Sequence, residues 1–339
     1  MLTRQGAASL ANDSLHLILL PTEQCNFRCT YCYEDFSTGR MPGSVVEGVK
    51  QLIDRRLDGL RSLDVSWFGG EPLLALPVVE EVSDHIVRRA ATRPELACTA
   101  EMTTNGYTLD AATVERLAGL GIRRYQISLD GPREMHDRSR VRADGKESFA
   151  RIWNNLLDIK DSAAHVHVSL RIHLTAANLV GMPDFLVQIR ETFLRDARFS
   201  VRLKPVEHLG GPNDRNIGIV PNKDRSRVLA QLTAIVSVGD SGDPDSSGSL
   251  TDQVGVCYAS LPDSLVIRAD GSVGKCTVAL TDPANTIGRL HPDGSLSIDN
   301  SLLRPWLRGW FTQDWEAVTC PYQGMPGPTA PPLLQITPR

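Results

Sequence analysis

The chain has 339 residues, 41% of them apolar and 22% charged, with a net charge of −4 at neutral pH. That balance excludes a disulfide-stapled miniprotein, a collagen-like chain and a wholly disordered one, and it offers no broad cationic footprint for nucleic acid or a membrane surface. No apolar run reaches the ~20 residues of a membrane span, and residues 1–15 lack the apolar stretch of a signal peptide, so a cytoplasmic location is expected.

The predicted elements alternate along the chain. Residues 16–20 form a short apolar strand ending at Pro21, and 44–60 a helix with Val45, Val49, Leu52, Ile53 and Leu57 on one side. Strand 64–68 runs into Gly69-Gly70, helix 76–91 follows, and strand 97–103 closes at the turn pair Asn105-Gly106. Asp110 is placed to cap a helix over 111–120. Strand 123–129 ends at Asp130-Gly131-Pro132, and helix 147–160, strand 166–175, helix 181–194 and strand 199–206 complete the series. Such alternation predicts an α/β fold with a parallel sheet under helical cover, either a barrel or an open doubly wound sheet. Residues 222–236 read as one more helix, 237–254 as a flexible linker, 264–278 as a hairpin turning at Asp270-Gly271, and 321–339 as an irregular tail. The expected organisation is an extension over 1–15, a barrel domain over 16–210, a helix and linker over 211–253, and a C-terminal unit over 254–339.

Seven cysteines carry the chemical signal. Cys25, Cys29 and Cys32 lie on the connection after the first strand, where α/β folds place their active sites. In a reducing compartment such a group points to metal or cluster ligation before disulfides. Three thiolates can hold three irons of a [4Fe–4S] cube and leave the fourth without a protein ligand, and an open position marks a catalytic site. Zinc and unrelated core thiols are the other readings, although zinc spacing favours C-x2-C with a second pair elsewhere.

With Tyr31 before its third cysteine, this C-x3-C-x2-C triplet resembles the signature of the radical S-adenosylmethionine (radical SAM) enzymes. Further stretches fall in that family's order: Gly69-Gly70-Glu71-Pro72, then Thr104-Asn105-Gly106, then Ser128-Leu129-Asp130-Gly131 running on through His136, Asp137 and Arg140 to Gly145 and Phe149. The last of these is similar to the peptide-modifying and sulfatase-maturing branch. The likeness spans residues 16–206 and implies a partial (β/α)6 barrel of the TIM type. It implies that the open iron takes the amino and carboxylate groups of SAM, and that reductive cleavage yields a 5′-deoxyadenosyl radical that abstracts a substrate hydrogen. It also implies a cofactor-binding set of Tyr31, Gly69, Gly70, Glu71, Ser128, Asp130, Arg140 and Leu203. In that set Tyr31 and Leu203 lie against adenine, Ser128 binds ribose or carboxylate, Arg140 pairs with the carboxylate, and the backbone around Gly70 approaches the amino group.

Cys257, Cys276 and Cys320 resemble the SPASM or twitch extensions of such barrels, which bind auxiliary iron–sulfur clusters, and imply a small α+β C-terminal domain. Positions 317 and 323, where further cysteines would be sought, hold Ala and Gln, so one auxiliary cluster with a non-cysteine or open fourth ligand is expected. Zinc or buried thiols are the alternatives for this trio. Cys98 is expected to be buried in the third strand, with hydrogen donation to a substrate radical as the sharper role. His136 either fixes its loop or transfers protons, and Glu207 and His208 are candidate substrate contacts or bases. Trp306, Trp310, Phe311 and Trp315 are expected to pack the small domain.

The resulting expectation is modification of a ribosomally made peptide by crosslink, thioether or epimerisation, with an external electron donor. The short N-terminus then calls for a separate leader-peptide-binding protein. Dehydrogenation or epimerisation of a sugar or aminocyclitol is the alternative substrate class. A non-catalytic metal-binding module is the third reading.

Overall fold

A computed structural model of the protein describes residues 13–211, 213–237 and 255–325. Six parallel strands come first: β1 (Ser14–Leu19), β2 (Ser62–Trp67), β3 (Ala97–Thr104), β4 (Ile122–Leu129), β5 (His167–Leu174) and β6 (Phe199–Pro205). Helices α1 (Gly43–Leu57), α2 (Leu76–Ala90), α3 (Ala111–Gly119), α4 (Arg133–Ser139), α5 (Phe149–Asp161) and α6 (Met182–Thr192) fill the crossovers, and α7 (Asn222–Val236) follows β6. Alternation along β2 shows why the layers pack. Leu63, Val65 and Trp67 are buried in one core with Val49 and Ile53 of α1 and Val79 and Val82 of α2, whereas Ser62, Asp64 and Ser66 remain partly accessible. Asp110 caps α3 as expected, its carboxylate accepting from the Thr113 N–H at 2.8 Å. The α/β partial barrel read from the sequence is the fold observed.

The C-terminal region departs from a free-standing unit. β7 (Ser264–Ile267) pairs in parallel with β1, and β8 (Ser272–Gly274), β9 (Gly288–Leu290) and β10 (Leu296–Ile298) continue antiparallel. One ten-stranded sheet therefore runs β10-β9-β8-β7-β1-β2-β3-β4-β5-β6. Inside it His16 joins the two parts, its ring nitrogens lying 2.9 Å from Ser66 Oγ of β2 and 3.1 Å from Ser264 Oγ of β7. The predicted hairpin turns at Gly271, with φ +86°, but its second strand stops at Gly274 rather than at 278. There the buried Lys275 donates its ammonium to the Leu261 and Ser264 carbonyls.

Helices α8 (Asn300–Thr312) and α9 (Trp315–Thr319) close the described chain. Trp306 and Trp310 pack as expected and donate to the Ala284 and Ser260 carbonyls. Phe311 and Trp315 do not: they are 57% and 50% exposed. The linker from 238 and the tail from 326 lie outside the described residues. Among the described residues no helix is long and apolar enough to cross a membrane.

Candidate active site

The carboxyl ends of the parallel strands open onto one pocket. From the β1 connection it takes Cys25, Phe27, Cys29, Tyr31 and Cys32, and from the ends of β2 to β6 it takes Gly70, Asn105, Ser128, Arg171, His173 and Lys204. The cysteine connection is clamped from outside by the segment that follows α4. Arg28 N–H donates to Val141 O (2.7 Å), Thr30 N–H to Ser139 O (2.9 Å) and Ala143 N–H to Asn26 O (2.8 Å). Asn105 Nδ2 adds a bond to Asn26 Oδ1 at 2.7 Å. These bonds fix the loop before any ligand enters.

All three thiols are free and partly buried. Burial pushes Cys25 and Cys32 up to about 12 and raises Cys29, so each must shed a proton to ligate iron. They lie within electrostatic reach of one another, since the negative charges on Cys29 and Cys32 both bear on Cys25. Yet among the described residues no three His, Cys, Asp or Glu side chains converge closely enough to hold a single metal ion. Thiols that face a common space without closing on one point suit the separate corners of a cube.

Behind the pocket, Asp130 organises the wall. Its carboxylate accepts from Tyr31 OH (2.9 Å) and Ser139 Oγ (2.5 Å) and lies 3.2 Å from His173 Nδ1. Tyr31 OH in turn accepts from Arg140 Nη1 at 2.8 Å. With the phenol proton given to Asp130, the nearby Nδ1 of His173 must carry its own proton. Burial alone would raise the Asp130 carboxyl, but the hydrogen bond from His173 and the charges of His173 and Arg140 hold it well below the usual carboxylate range. Asp130 thus positions Tyr31 and His173, which line the pocket, without lining it itself.

Both glycines of the pair line the pocket, and both also pack tightly against the cysteine connection. A Cβ on Gly69 would meet Thr22 O at 2.4 Å, and one on Gly70 would meet Gln24 O at 2.5 Å. The close approach is to the cysteine connection, and Glu71 N–H donates to Gln24 O at 3.0 Å in the same seam. Glu71 itself is fully buried outside the pocket, its carboxylate accepting from Thr104 Oγ1 (2.8 Å) and from the Asn105 (2.7 Å) and Leu73 (3.1 Å) N–H groups. It ties the ends of β2 and β3.

The other candidates fall partly inside and partly outside the pocket. Leu203 pairs in register with Ile172, so it lies on the sheet face opposite pocket-lining His173 and Lys204 and packs into the core beneath the helices. Cys98, expected to be buried, is exposed near the start of β3, five residues from pocket-lining Thr103, about 17 Å along a strand. His208 is exposed, bound to Asp214, and not part of the lining. Glu207 does line the pocket. Its carboxylate is held by Lys204 (2.8 Å) and Arg225 (3.1 Å), which outweigh burial and keep it ionised.

His136 fixes its loop. Its Nδ1 accepts from Asp130 N–H (3.3 Å), its Nε2 reaches Ser148 Oγ (3.1 Å), and Ser148 donates on to Arg140 O (2.9 Å). Burial pushes this imidazole down from 6.5 to about 4, with the Asp130 charge opposing and Arg140 assisting. The unfolded chain takes up the proton below about pH 6.5, the folded chain only near 4. Stability present above 6.5 is therefore lost as pH falls toward 4, by about 3 kcal/mol from this group. Unfolding midpoints measured across that window should fall less steeply in His136→Gln than in the parent. Equal slopes would mean the ring is not buried neutral.

Several pocket residues escaped the sequence reading, among them His173, Lys204, Glu34 and Arg171. Among the described residues, Glu34 Oε2 and Arg171 Nε are buried without hydrogen-bond partners, and Arg140 Nε is in the same state. Burial pushes the Glu34 carboxyl up to about 8, Glu23 adding to the rise and Arg268 opposing it.

The sequence profile of the Radical SAM superfamily matches residues 19–197. The chain belongs to the radical SAM superfamily. Among curated relatives, GTP 3′,8-cyclase 2 of Mycobacterium tuberculosis (strain ATCC 25618 / H37Rv) is 33% identical over 138 residues, 40% of this chain and 36% of that one. GTP 3′,8-cyclase of Klebsiella pneumoniae (strain 342) is 34% identical over 129 residues, 36% of each chain. The match thus spans little more than a third of either cyclase. Among solved structures, native anSMEcpe with bound AdoMet and Cp18Cys peptide aligns over 87% of this chain and 84% of its own, with TM-score 0.67 and 19% identity. SuiB of Streptococcus suis bound to precursor peptide SuiA aligns over 91% and 70%, with TM-score 0.54 and 16% identity. These two likenesses are of fold. The chain shares the radical SAM barrel with both, and the family brings with it a [4Fe–4S] cluster and SAM.

Proposed function

We propose that this radical SAM enzyme modifies a peptide, with Cys25, Cys29 and Cys32 holding the cluster and Ser128, Arg140 and Arg171 facing the carboxylate of SAM. One observation carries the site assignment. Three free thiols and two guanidinium groups with buried, unpartnered Nε atoms share one pocket at the strand ends. A carboxylate-bearing ligand completes those guanidinium donors, and thiolates complete a cluster. When bound, the cluster and SAM supply one-electron cleavage of the sulfonium and, from it, hydrogen-atom abstraction.

The protein's own part is orientation. Tyr31 is locked by Asp130, Arg140 and His173, so its ring offers a fixed wall. Arg140 is held over the Phe27 ring, 5.6 Å from its centroid, which sets the direction of its fork. The peptide reading is supported by fold likeness that covers barrel and C-terminal region together, to structures solved with bound peptides. In the C-terminal region Cys257, Cys276 and Cys320 bear on one another electrostatically. That trio suits one twitch-like auxiliary iron–sulfur cluster across from SAM, with an external donor supplying electrons.

Anaerobically reconstituted protein should hold about eight irons. Reduced in the presence of SAM, it should release 5′-deoxyadenosine. Release should accelerate with a precursor peptide encoded beside the gene, which should change in mass. Acceleration by sugars or aminocyclitols alone would overturn the peptide reading. No release from a loaded, reduced sample would overturn the enzyme reading.

A further inference from the structure

Glu34 and Arg171 line the same pocket, each with a buried polar atom that has no hydrogen-bond partner among the described residues, yet they do not pair with each other. Their surroundings explain why. Arg171 stands beside Ser128 on the next strand, in the field of Tyr31 and Arg140, on the wall assigned above to the SAM carboxylate. Glu34 stands instead with Glu23, Asp35 and Arg268, where the cysteine connection meets the C-terminal region. Arg268 is the cation a carboxylate there would take, but it is spent. Its Nε and Nη2 hold both oxygens of Glu23 (3.0 and 2.5 Å), and its Nη1 donates to Leu280 O (2.9 Å). Glu34 Oε2 is therefore left without a hydrogen-bond donor among the described residues. Phe36, Phe68 and Leu209 line the same pocket and supply apolar surface for an alkyl stem.

We propose that Glu34 is a substrate-recognising carboxylate that receives a cationic hydrogen-bond donor of the substrate, a primary ammonium or a guanidinium, at the side of the pocket nearest the C-terminal region. The inference rests on reading this pocket as the chamber for SAM and substrate, and it adds the charge of the group that enters. The amino group of SAM is assigned to the cluster iron, so Glu34 is left for the substrate.

The test uses reconstituted, SAM-loaded holoenzyme and two probes, N-acetyl-lysine methylamide and its norleucine counterpart, which has the stem without the ammonium. Calorimetric titration should show the lysine probe binding at least about tenfold tighter than the norleucine probe. The ratio should fall toward one in Glu34→Gln and be partly retained in Glu34→Asp. The Glu34→Gln holoenzyme should unfold at the parent temperature or higher, since the carboxylate has no partner to lose. Equal binding of the two probes by the parent, no binding of either, or a ratio that survives Glu34→Gln would overturn the proposal. So would failure of Glu34→Gln to fold, which would make the residue structural. The chamber reading fails separately, if the reduced parent releases no 5′-deoxyadenosine.

Discussion

Replacing Cys29 by alanine is expected to lower SAM cleavage by at least about a thousandfold, a loss of about 4 kcal/mol of transition-state stabilisation. Cys29 is the middle thiol of the three, and its surroundings set it apart. Burial raises its proton affinity, and Arg140 is the largest influence in the other direction. The same guanidinium donates to Tyr31 OH, so the central sulfur, the aromatic wall and the fork facing the SAM carboxylate form one connected unit. Alanine leaves two corners of the cube held, too few to keep an open iron facing the pocket. Iron should fall by about four of about eight per chain. Cys276→Ala should remove the other four while 5′-deoxyadenosine release stays measurable. Iron assay and product release, read together, separate the two trios. Parent-level cleavage by the Cys29 variant would sink the assignment of this pocket.

What the sequence made legible was local. The C-x3-C-x2-C triplet, the Gly-Gly turn after β2, the Asn105-Gly106 turn and the exit from β4 are all short runs whose spacing survives without knowledge of pairing. The β/α alternation was legible for the same reason, since the longer crossover helices show their own apolar stripes, whereas the seven-residue α4 has none and went unpredicted. What escaped depends on contacts far apart in the chain. Whether Leu203 faces SAM or the helices is decided by its register with Ile172, and an isolated strand carries no register. Glu71 resembles a ligand-side acid in the linear motif, yet its donors come from Thr104 and Asn105, more than thirty residues on. Cys98 sits in a strand, but residues 97–99 of that strand are exposed, so membership of a sheet did not bury it. Strands β9 and β10 have three residues each, too few for any alternation to register. Glu34 and Arg171 belong to no short motif, and only the folded pocket shows that their donors and acceptors are unmet.

Gly69→Ala is expected to be the most damaging change outside the cysteines, costing about 3–5 kcal/mol. Two independent terms add. The residue sits at φ +103°, a conformation that a side chain pays for by about 1–3 kcal/mol. Its new Cβ would also stand 2.4 Å from Thr22 O and 3.2 Å from the Leu20 side chain. The nearer atom is backbone and cannot rotate away, so the chain on one side must move. The side with less to lose is the connection from Thr22 to Gln24, which leads directly into Cys25. A displacement there pulls a thiol out of alignment and also breaks the Glu71 N–H to Gln24 O bond that seals the seam. Both consequences are measurable. The unfolding temperature should drop by about 10 °C, and iron retention and SAM cleavage should fall together. Gly119→Ala in α3 is the matching control, because its Cβ meets nothing within 4 Å and a helical alanine gains up to about 1 kcal/mol. If Gly69→Ala instead melted with the parent and kept its iron, the tight seam between the β2 turn and the cysteine connection would not exist in solution, and the pocket would have to be held by the 139–143 clamp alone.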